Sequence, residues 1–581
     1  MTLTRWVGIA GLLAMNAPIY TRTAAAPSPA LRSAEAAVSS SDMSRLGLDG
    51  ATLRAVWRLA LPVIGANLLV TLVNVVDVFF AGRLGSTEVA AVGLATSVRL
   101  LVLVVVMAIS SGAMALAAQA RGARDPDALS LIARQTVLVA VALGLVLTVA
   151  GLAFSGPVLG FLDASDDPRA AAIALPYLLV VFAGTVFTAV QIAGASLLQG
   201  AGDTVRPLLL SALATVANVL FTWLLVFGVG PFPALGVTGA AVGTVAARAL
   251  AMAATLWVLA RGHSVVSFGS GGWRPAWDTW RDVLAIGWPS GMQSLAYSGA
   301  GLLVMRIVTS TPSGSLGAAA LAIGLQIESL AFMPGLAFAV AATSLVGRAV
   351  GAWQLDDAWR AAHAALAVGV AVMGLVALVL FVAAEPLVRF FDPSAHPTVL
   401  RDGVSYLRIN ALAQPVLAVF FVLSGGLRGA GDTRPPLIAT IVGRWLVVLP
   451  LAWWWALGLG WGVVGVWWAF VAGLTVQAGI VAWRWRSATW PEIALRRSRL
   501  FRDHLSRVDE GARRAFLDQV RAPLMARPDA SERVDAAGVH YRWAGGEERW
   551  RVEGSGLVRD ATDGVEALRL EAGSRSGAVL P

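Results

Sequence analysis

LQGAGDTVRP at Leu198–Pro207 returns as LRGAGDTRPP at Leu427–Pro436, with seven of ten positions identical at an offset of 229. The same register carries Gly85 onto Gly314 and Gly122 onto Gly351, and a nearly equal offset of 226 carries Gly236 and Gly239 onto Gly462 and Gly465. A register kept over that length marks an internal repeat. Around the two copies run hydrophobic stretches of spanning length, near 57–81, 90–119, 132–154, 171–196, 207–229, 238–260, 283–308, 318–346, 362–383, 404–426, 436–458 and 463–483. That makes six per copy. Because six is even, both halves insert the same way up, related by an axis along the membrane normal, a plan that holds substrate near the midplane between them.

Composition agrees. Of 581 residues 57% are hydrophobic and 14% charged, and the mean hydropathy is +0.72; soluble domains carry about 25% charged residues. The expected fold is an all-α integral membrane protein of twelve transmembrane helices in two six-helix lobes, 51–262 and 263–486. Residues 1–50 read as a disordered N-terminal extension, with Met43 the expected true start. Residues 487–581 hold 16 Arg and 15 acids, a soluble density, and form a C-terminal tail outside the membrane. Within the tail, Ile493–Val520 reads as an amphipathic helix and GVHYRWAGGEERWRVEG (538–554) as a β-hairpin around its Gly-Gly. Arginines concentrate in the even-numbered loops (Arg121, Arg124, Arg206, Arg261, Arg348, Arg360, Arg428, Arg434), so both termini are expected in the cytoplasm and the protein in the cell's inner membrane.

Whole classes of chemistry are excluded. There is no Cys and every basic residue is Arg, which removes thiol and lysine chemistry. The five His are dispersed without metal-ligand spacing, so no metal or other cofactor is expected. GAGDT lacks the Lys of a Walker loop and follows no strand. It reads as a turn: glycines for the reversal, Asp203 and Asp432 or Thr204 and Thr433 as caps, Pro207 and Pro436 in the next helix's first turn.

A charge at the centre of a spanning helix costs roughly 2.5–3.5 kcal/mol on insertion scales, so each one is a functional hypothesis. Asp77 lies in LVTLVNVVDVFFAG, with Asn74 one turn earlier and Thr71 two turns earlier on the same face. A carboxylic acid in a low-dielectric cavity holds its proton more readily, so this cluster can load a proton on one side and release it on the other. In the second half Glu328 lies deep in its span with Gln326 nearby, and structural pairing with Arg306 is expected. Gln191, Gln293, Tyr297 and Gln414, with Gln326 and Glu328, are candidate linings of a substrate path. Pro62 and Pro289, near the starts of the first and seventh spans, are candidate hinges, and Pro334, Pro415 and Pro450 mark further bendable helices.

From about Leu53 to Trp485 the chain resembles the multidrug and toxic compound extrusion (MATE) transporters of the multidrug, oligosaccharidyl-lipid and polysaccharide flippase superfamily. The resemblance rests on Pro62 fifteen residues before Asp77, the run DVFFAGRLG, the paired GAGDT turns, PFPALGVTGAA and GLAFAVAATSLVGRAVGA. It implies a V-shaped two-lobe bundle, alternating access, and export of amphipathic, often cationic compounds in exchange for protons or sodium ions. It makes Asp77 the cation-coupling acid of the first lobe, with Asn218 four residues before a position that holds an acid in proton-coupled members and Thr222 here. Acids typical of the sodium-coupled branch fall on Tyr297 and Leu417. The expectation is therefore a proton-coupled antiporter, not an enzyme, acting as a monomer in the lipid bilayer on small molecules, with no nucleic-acid partner. The alternatives are a sodium-coupled exporter and a lipid-linked oligosaccharide flippase; the flippase would need a cavity rich in Arg, and mid-span Arg reads as sparse.

Overall fold

The computed structural model describes residues 49–487 apart from Gly85, 163–167 and Trp353, together with Trp490 and five strands between 531 and 570. The expected disordered extension and the Ile493–Val520 helix lie outside the described residues.

The helices run α1 (Gly50–Leu84), α2 (Ser86–Gly122), α3 (Pro126–Leu162), α4 (Pro168–Ala183), α5 (Thr185–Gly200), α6 (Val205–Phe227), α7 (Gly236–Ala260), α8 (Trp277–Thr309), α9 (Gly314–Ala331), α10 (Met333–Gly351), α11 (Leu355–Val382), α12 (Ala384–Phe391), α13 (Pro397–Gly429), α14 (Arg434–Ile441), α15 (Leu449–Trp453) and α16 (Val463–Arg486). Among the described residues eleven helices are long and apolar enough to cross a membrane, α9 and α10 each among them and α8 not, and α4 with α5, bent by 49°, form a further broken span. The exposed stripes Leu145, Val146, Val149, Phe154 on α3 and Leu375, Leu378, Val379, Val382 on α11 are the apolar faces a bilayer would cover.

Two further expected spans depart from straight helices. The eighth divides at Phe332 into α9 and α10, two residues before Pro334, whose ring disfavours helical backbone at the residue before it. The eleventh is a rod in which α14 and α15 alternate with π-helical stretches at Val442–Val448 and Trp454–Gly458. Pro450 follows the first of these. It lacks the amide for the usual bond four residues back, and wider turns re-register the ladder around it. The seventh, α8, is a single 33-residue helix with Pro289 inside.

Each half has its own core, and the first helix of each begins in the other's. Val56, Leu59, Ala60 and Val63 of α1 pack with α10, α11, α13 and α16, while Val283 and Ile286 of α8 pack with α2, α3 and α5. Glycine makes the crossings possible. A Cβ on Gly122 would lie 1.9 Å from the Arg348 carbonyl, and one on Gly351 would lie 1.9 Å from the Gln119 carbonyl. Residues 119 and 348 are themselves one repeat apart, so a single contact is made twice about the pseudo-twofold axis. Gly112 and Gly287 bring α2 onto α8 in the same way, at 2.0 Å from Val283 O and 1.9 Å from Ala108 O.

The GAGDT turns sit at this crossing end. Gln119 Nε2 donates to the Gly429 carbonyl (2.9 Å) and the Ser344 hydroxyl donates to the Gly200 carbonyl (3.0 Å). Gly202 and Gly431 take φ of +91° and +84°, as the tight turn requires. The two aspartates differ from the expected shared capping role. Asp203 accepts the Arg206 amide (3.2 Å), its guanidinium, and the Ser264 hydroxyl (2.7 Å). Asp432 instead forms a buried ion pair with Arg484 of α16 (2.7 Å). The inter-lobe contacts of Gln119, Ser344, Gly122 and Gly351 fall in the half of the bundle that carries the turns; beyond it Leu68 and Leu72 of α1 and Tyr297 and Leu302 of α8 are exposed.

In the tail, β1 (Ser531–Asp535), β2 (Gly538–Trp543), β3 (Gly546–Glu553), β4 (Gly556–Arg559) and β5 (Arg569–Leu570) form an antiparallel sheet in chain order. The hairpin read at 538–554 is β2 and β3, closed at Trp543↔Gly546.

Candidate functional site

The first lobe gathers its polar groups where α1, α5, α6 and α7 meet. Gly239 and Gly243, about one turn apart on α7, bring its backbone onto α6: a Cβ on Gly239 would meet the Leu225 carbonyl at 2.4 Å and one on Gly243 the Thr222 amide at 2.6 Å. That approach sets Thr244 beside Asn218, whose Nδ2 donates to Thr244 Oγ1 at 2.8 Å. One turn on, Arg248 reaches α5 and donates to Gln191 Oε1 at 2.8 Å. Thr215 of α6 donates to the Leu69 carbonyl of α1 (3.3 Å), and Thr204 does likewise to Arg58 (3.4 Å), which fixes the register of α1 on α6. A cavity of about 10 Å³ remains at the joint, lined on α1 by Val70 and Val73, on α6 by Asn218 and on α7 by Thr244 and Arg248. Asn74 and Asp77 continue α1 past these valines, and their side chains lie outside the described residues. Asn218 Oδ1 and Thr222 Oγ1 are buried with no hydrogen-bond partner.

The second lobe is built differently. Gly324 of α9 has no side chain to hold off Tyr406 of α13, since a Cβ there would lie 2.3 Å from its ring. Tyr406 packs against that turn, stands edge-on to Trp467 of α16 at 4.9 Å, and donates its hydroxyl to Glu328, one turn beyond Gly324. Arg444, in the π-helical stretch of the eleventh span, places its guanidinium 4.0 Å above the Tyr297 ring and 5.4 Å from that of Phe470. Arg306, the expected partner of Glu328, is exposed and shares no ion pair with it. The reason is geometric: Glu328 is drawn into the lobe by Tyr406, and Arg306 is in the last turn of α8.

Of the remaining sequence-read positions, Gln293 donates to Thr440 (3.1 Å) and ties α8 to α14. Gln191 and Gln414 are buried, the second with its Oε1 unpartnered. Gln326 is exposed. Pro62 and Pro289 lie inside continuous helices. Sequence reasoning missed Arg248, Tyr406 and Arg444. The two arginines carry the depth signal that singled out Asp77, and applying it to every charge inside a span would have found them.

A family model described as MatE matches residues 62–224 and 289–454. The multidrug resistance protein NorM of Burkholderia vietnamiensis is 32% identical over 488 residues, 82% of this chain and 98% of that protein. The probable multidrug resistance protein NorM of Thermotoga maritima is 29% identical over 438 residues, 75% and 93% of the two chains. Among solved structures, a MOP superfamily transporter from Pyrococcus furiosus superposes with a TM-score of 0.71 at 24% identity, covering 76% of this chain and 97% of that one. An outward-facing MATE family transporter gives 0.71 at 23%, covering 76% and 96%. Both share the two-lobe helical fold.

Proposed function

The chain belongs to the MATE family of the MOP superfamily, whose members are transporters and not enzymes, and on that footing we propose that it exports small organic compounds in exchange for protons. The relatives named for multidrug resistance support efflux of chemically varied substrates. The proposal extends to a monomer in the cell's inner membrane with both termini in the cytoplasm, following the arginine bias of the loops.

One observation carries the coupling ion. At the joint of α1, α6 and α7, two buried side-chain oxygens, on Asn218 and Thr222, lack partners within the lobe whose first span bears Asp77. Neutral oxygens beside a single acid suit a site that neutralises a carboxylate with a proton. Sodium fits less well. The positions that match acids of the sodium-coupled branch are Tyr297, which lies under the fixed cation Arg444, and Leu417. In the cycle, a proton from outside neutralises Asp77, α1 repacks about Pro62, substrate leaves outward, and the lobes rock to release the proton inside. One charge moved through 100 mV is worth about 2.3 kcal/mol, a roughly fortyfold gradient of neutral substrate at 1.4 kcal/mol per tenfold.

The test is dye uptake by inverted membrane vesicles energised with a proton gradient. Asp77→Asn should abolish uptake with expression unchanged; uptake equal to that of the parent would remove Asp77 from the mechanism.

A further inference from the structure

Arg444 lies ten residues into the Arg434–Gly458 span, about 15 Å along the helix at 1.5 Å per residue, deep in the hydrocarbon. At such depth arginines pair with an acid or a backbone carbonyl, or face a functional cavity. Among the described residues Arg444 makes no ion-pair contact within 4.0 Å. The ion pairs among the described residues join Asp203 to Arg206, Asp357 to Arg360, Glu385 to Arg389 and Asp432 to Arg484. Glu328 is within electrostatic range of Arg444 but is engaged by the Tyr406 hydroxyl. The Arg444 Nε is buried with no hydrogen-bond partner.

What holds the guanidinium is aromatic. Tyr297 lies 4.0 Å from its carbon and Phe470 5.4 Å away, and such contacts occupy the faces of the guanidinium plane and leave its edge donors free. A planar cation held beside aromatic rings, with its Nε unmatched, offers the donor geometry that carboxylates and phosphates take up. The neighbouring Trp445 is fastened by its indole N–H to the Ala296 carbonyl (3.0 Å), which ties this turn to α8 and Tyr297. Among exposed groups nearby, Tyr297, Trp445 and Leu446 offer apolar surface. The corresponding joint of the first lobe differs in sign. At the 229 offset of the turn that opens this helix Arg444 matches Thr215, whose hydroxyl donates to the Leu69 carbonyl, so a neutral hydrogen-bonded side chain on one side is a cation on aromatic rings on the other.

We propose that Arg444 is an oxyanion-binding subsite in the second lobe that receives the acidic head group of an amphipathic molecule. This rests on the exporter reading, which makes the molecule a substrate, and it narrows the substrate class to compounds with an acidic as well as an apolar part. An organic carboxylate and the phosphate of an anionic lipid share the chemistry.

The test is equilibrium binding to the full-length purified protein in nanodiscs without a gradient, read by fluorescence anisotropy of pyrenebutyrate and of its methyl ester. The parent should bind the acid about tenfold or more tightly than the ester, the weight of a charge-assisted hydrogen bond. Arg444→Gln should erase that preference and leave ester binding in place, and Arg444→Lys should keep part of it. Unbroken ester binding by each variant also shows that it is folded. An equal preference in parent and Arg444→Gln, or none in the parent, overturns the proposal. Adding phosphatidylglycerol to the nanodiscs separates the sources: competition lost in Arg444→Gln assigns the subsite to a lipid head group, and absence of competition assigns it to the organic acid. Because no transport is measured, failure of the exporter reading registers in the vesicle assay of Asp77 and not here.

Discussion

Tyr406 shows how one missing side chain organises a site. With Gly324 bare, the ring lies against α9 and its hydroxyl reaches Glu328. Tyr406→Phe should therefore leave a buried carboxyl oxygen without its donor, a loss of about 1–3 kcal/mol, seen as a lower unfolding temperature in detergent. An unchanged temperature would mean that Glu328 finds another donor. The two turn aspartates make a matched comparison. Asp432 and Arg484 are 6% and 16% exposed, whereas Arg206 opposite Asp203 is 38% exposed. Breaking a buried pair leaves an uncompensated charge and costs about 3–5 kcal/mol, against about 0–1 for an exposed one. Asp432→Asn should lower the unfolding temperature markedly more than Asp203→Asn, although the two occupy one position of the repeat. Equal effects would show that the ion pair adds nothing to the turn.

That asymmetry marks what was legible in the sequence. Repeat register, twelve spans, the turn glycines and the tail hairpin all follow from local rules of spacing and period, and the helices obey them. The partners of Asp432, Glu328 and Arg444 come from helices dozens of residues away. Which face of α13 meets α9 depends on a glycine whose role only packing shows. The π-helical stretches before and after Pro450 were visible as a proline alone. On α2 and α10 the glycines make a sharper test. Gly122 and Gly351 each sit where a methyl would enter a backbone carbonyl of the opposite lobe. Gly351→Ala should push α10 off α2, lower thermal stability and loosen the crossing; Gly374→Ala, where nothing lies within 4 Å, should be silent. Equal behaviour of the two variants would contradict the close crossing.

The protein as a whole is two similar bundles crossed at one end, each lending its first helix to the other's core, with polar centres of different character: neutral oxygens in the lobe of Asp77, and a glutamate and an arginine held on aromatic rings in its counterpart. The crossing end is fastened by Gln119 and Ser344 to main-chain carbonyls, so motion between the lobes belongs to the other end. Since the chain has no Cys, spin labels at Leu68→Cys and Leu302→Cys report that end alone. Their separation should change with pH in the parent and stay fixed in the Asp77→Asn background; a separation indifferent to pH in both would sever lobe motion from the proton. The most direct test reconstitutes the purified protein in liposomes and imposes either a pH gradient or a sodium gradient while substrate movement is followed. The pH gradient alone should drive countertransport, and Asp77→Asn should end it. Countertransport driven by sodium, or a pH-driven flux that survives Asp77→Asn, would contradict proton exchange at that acid.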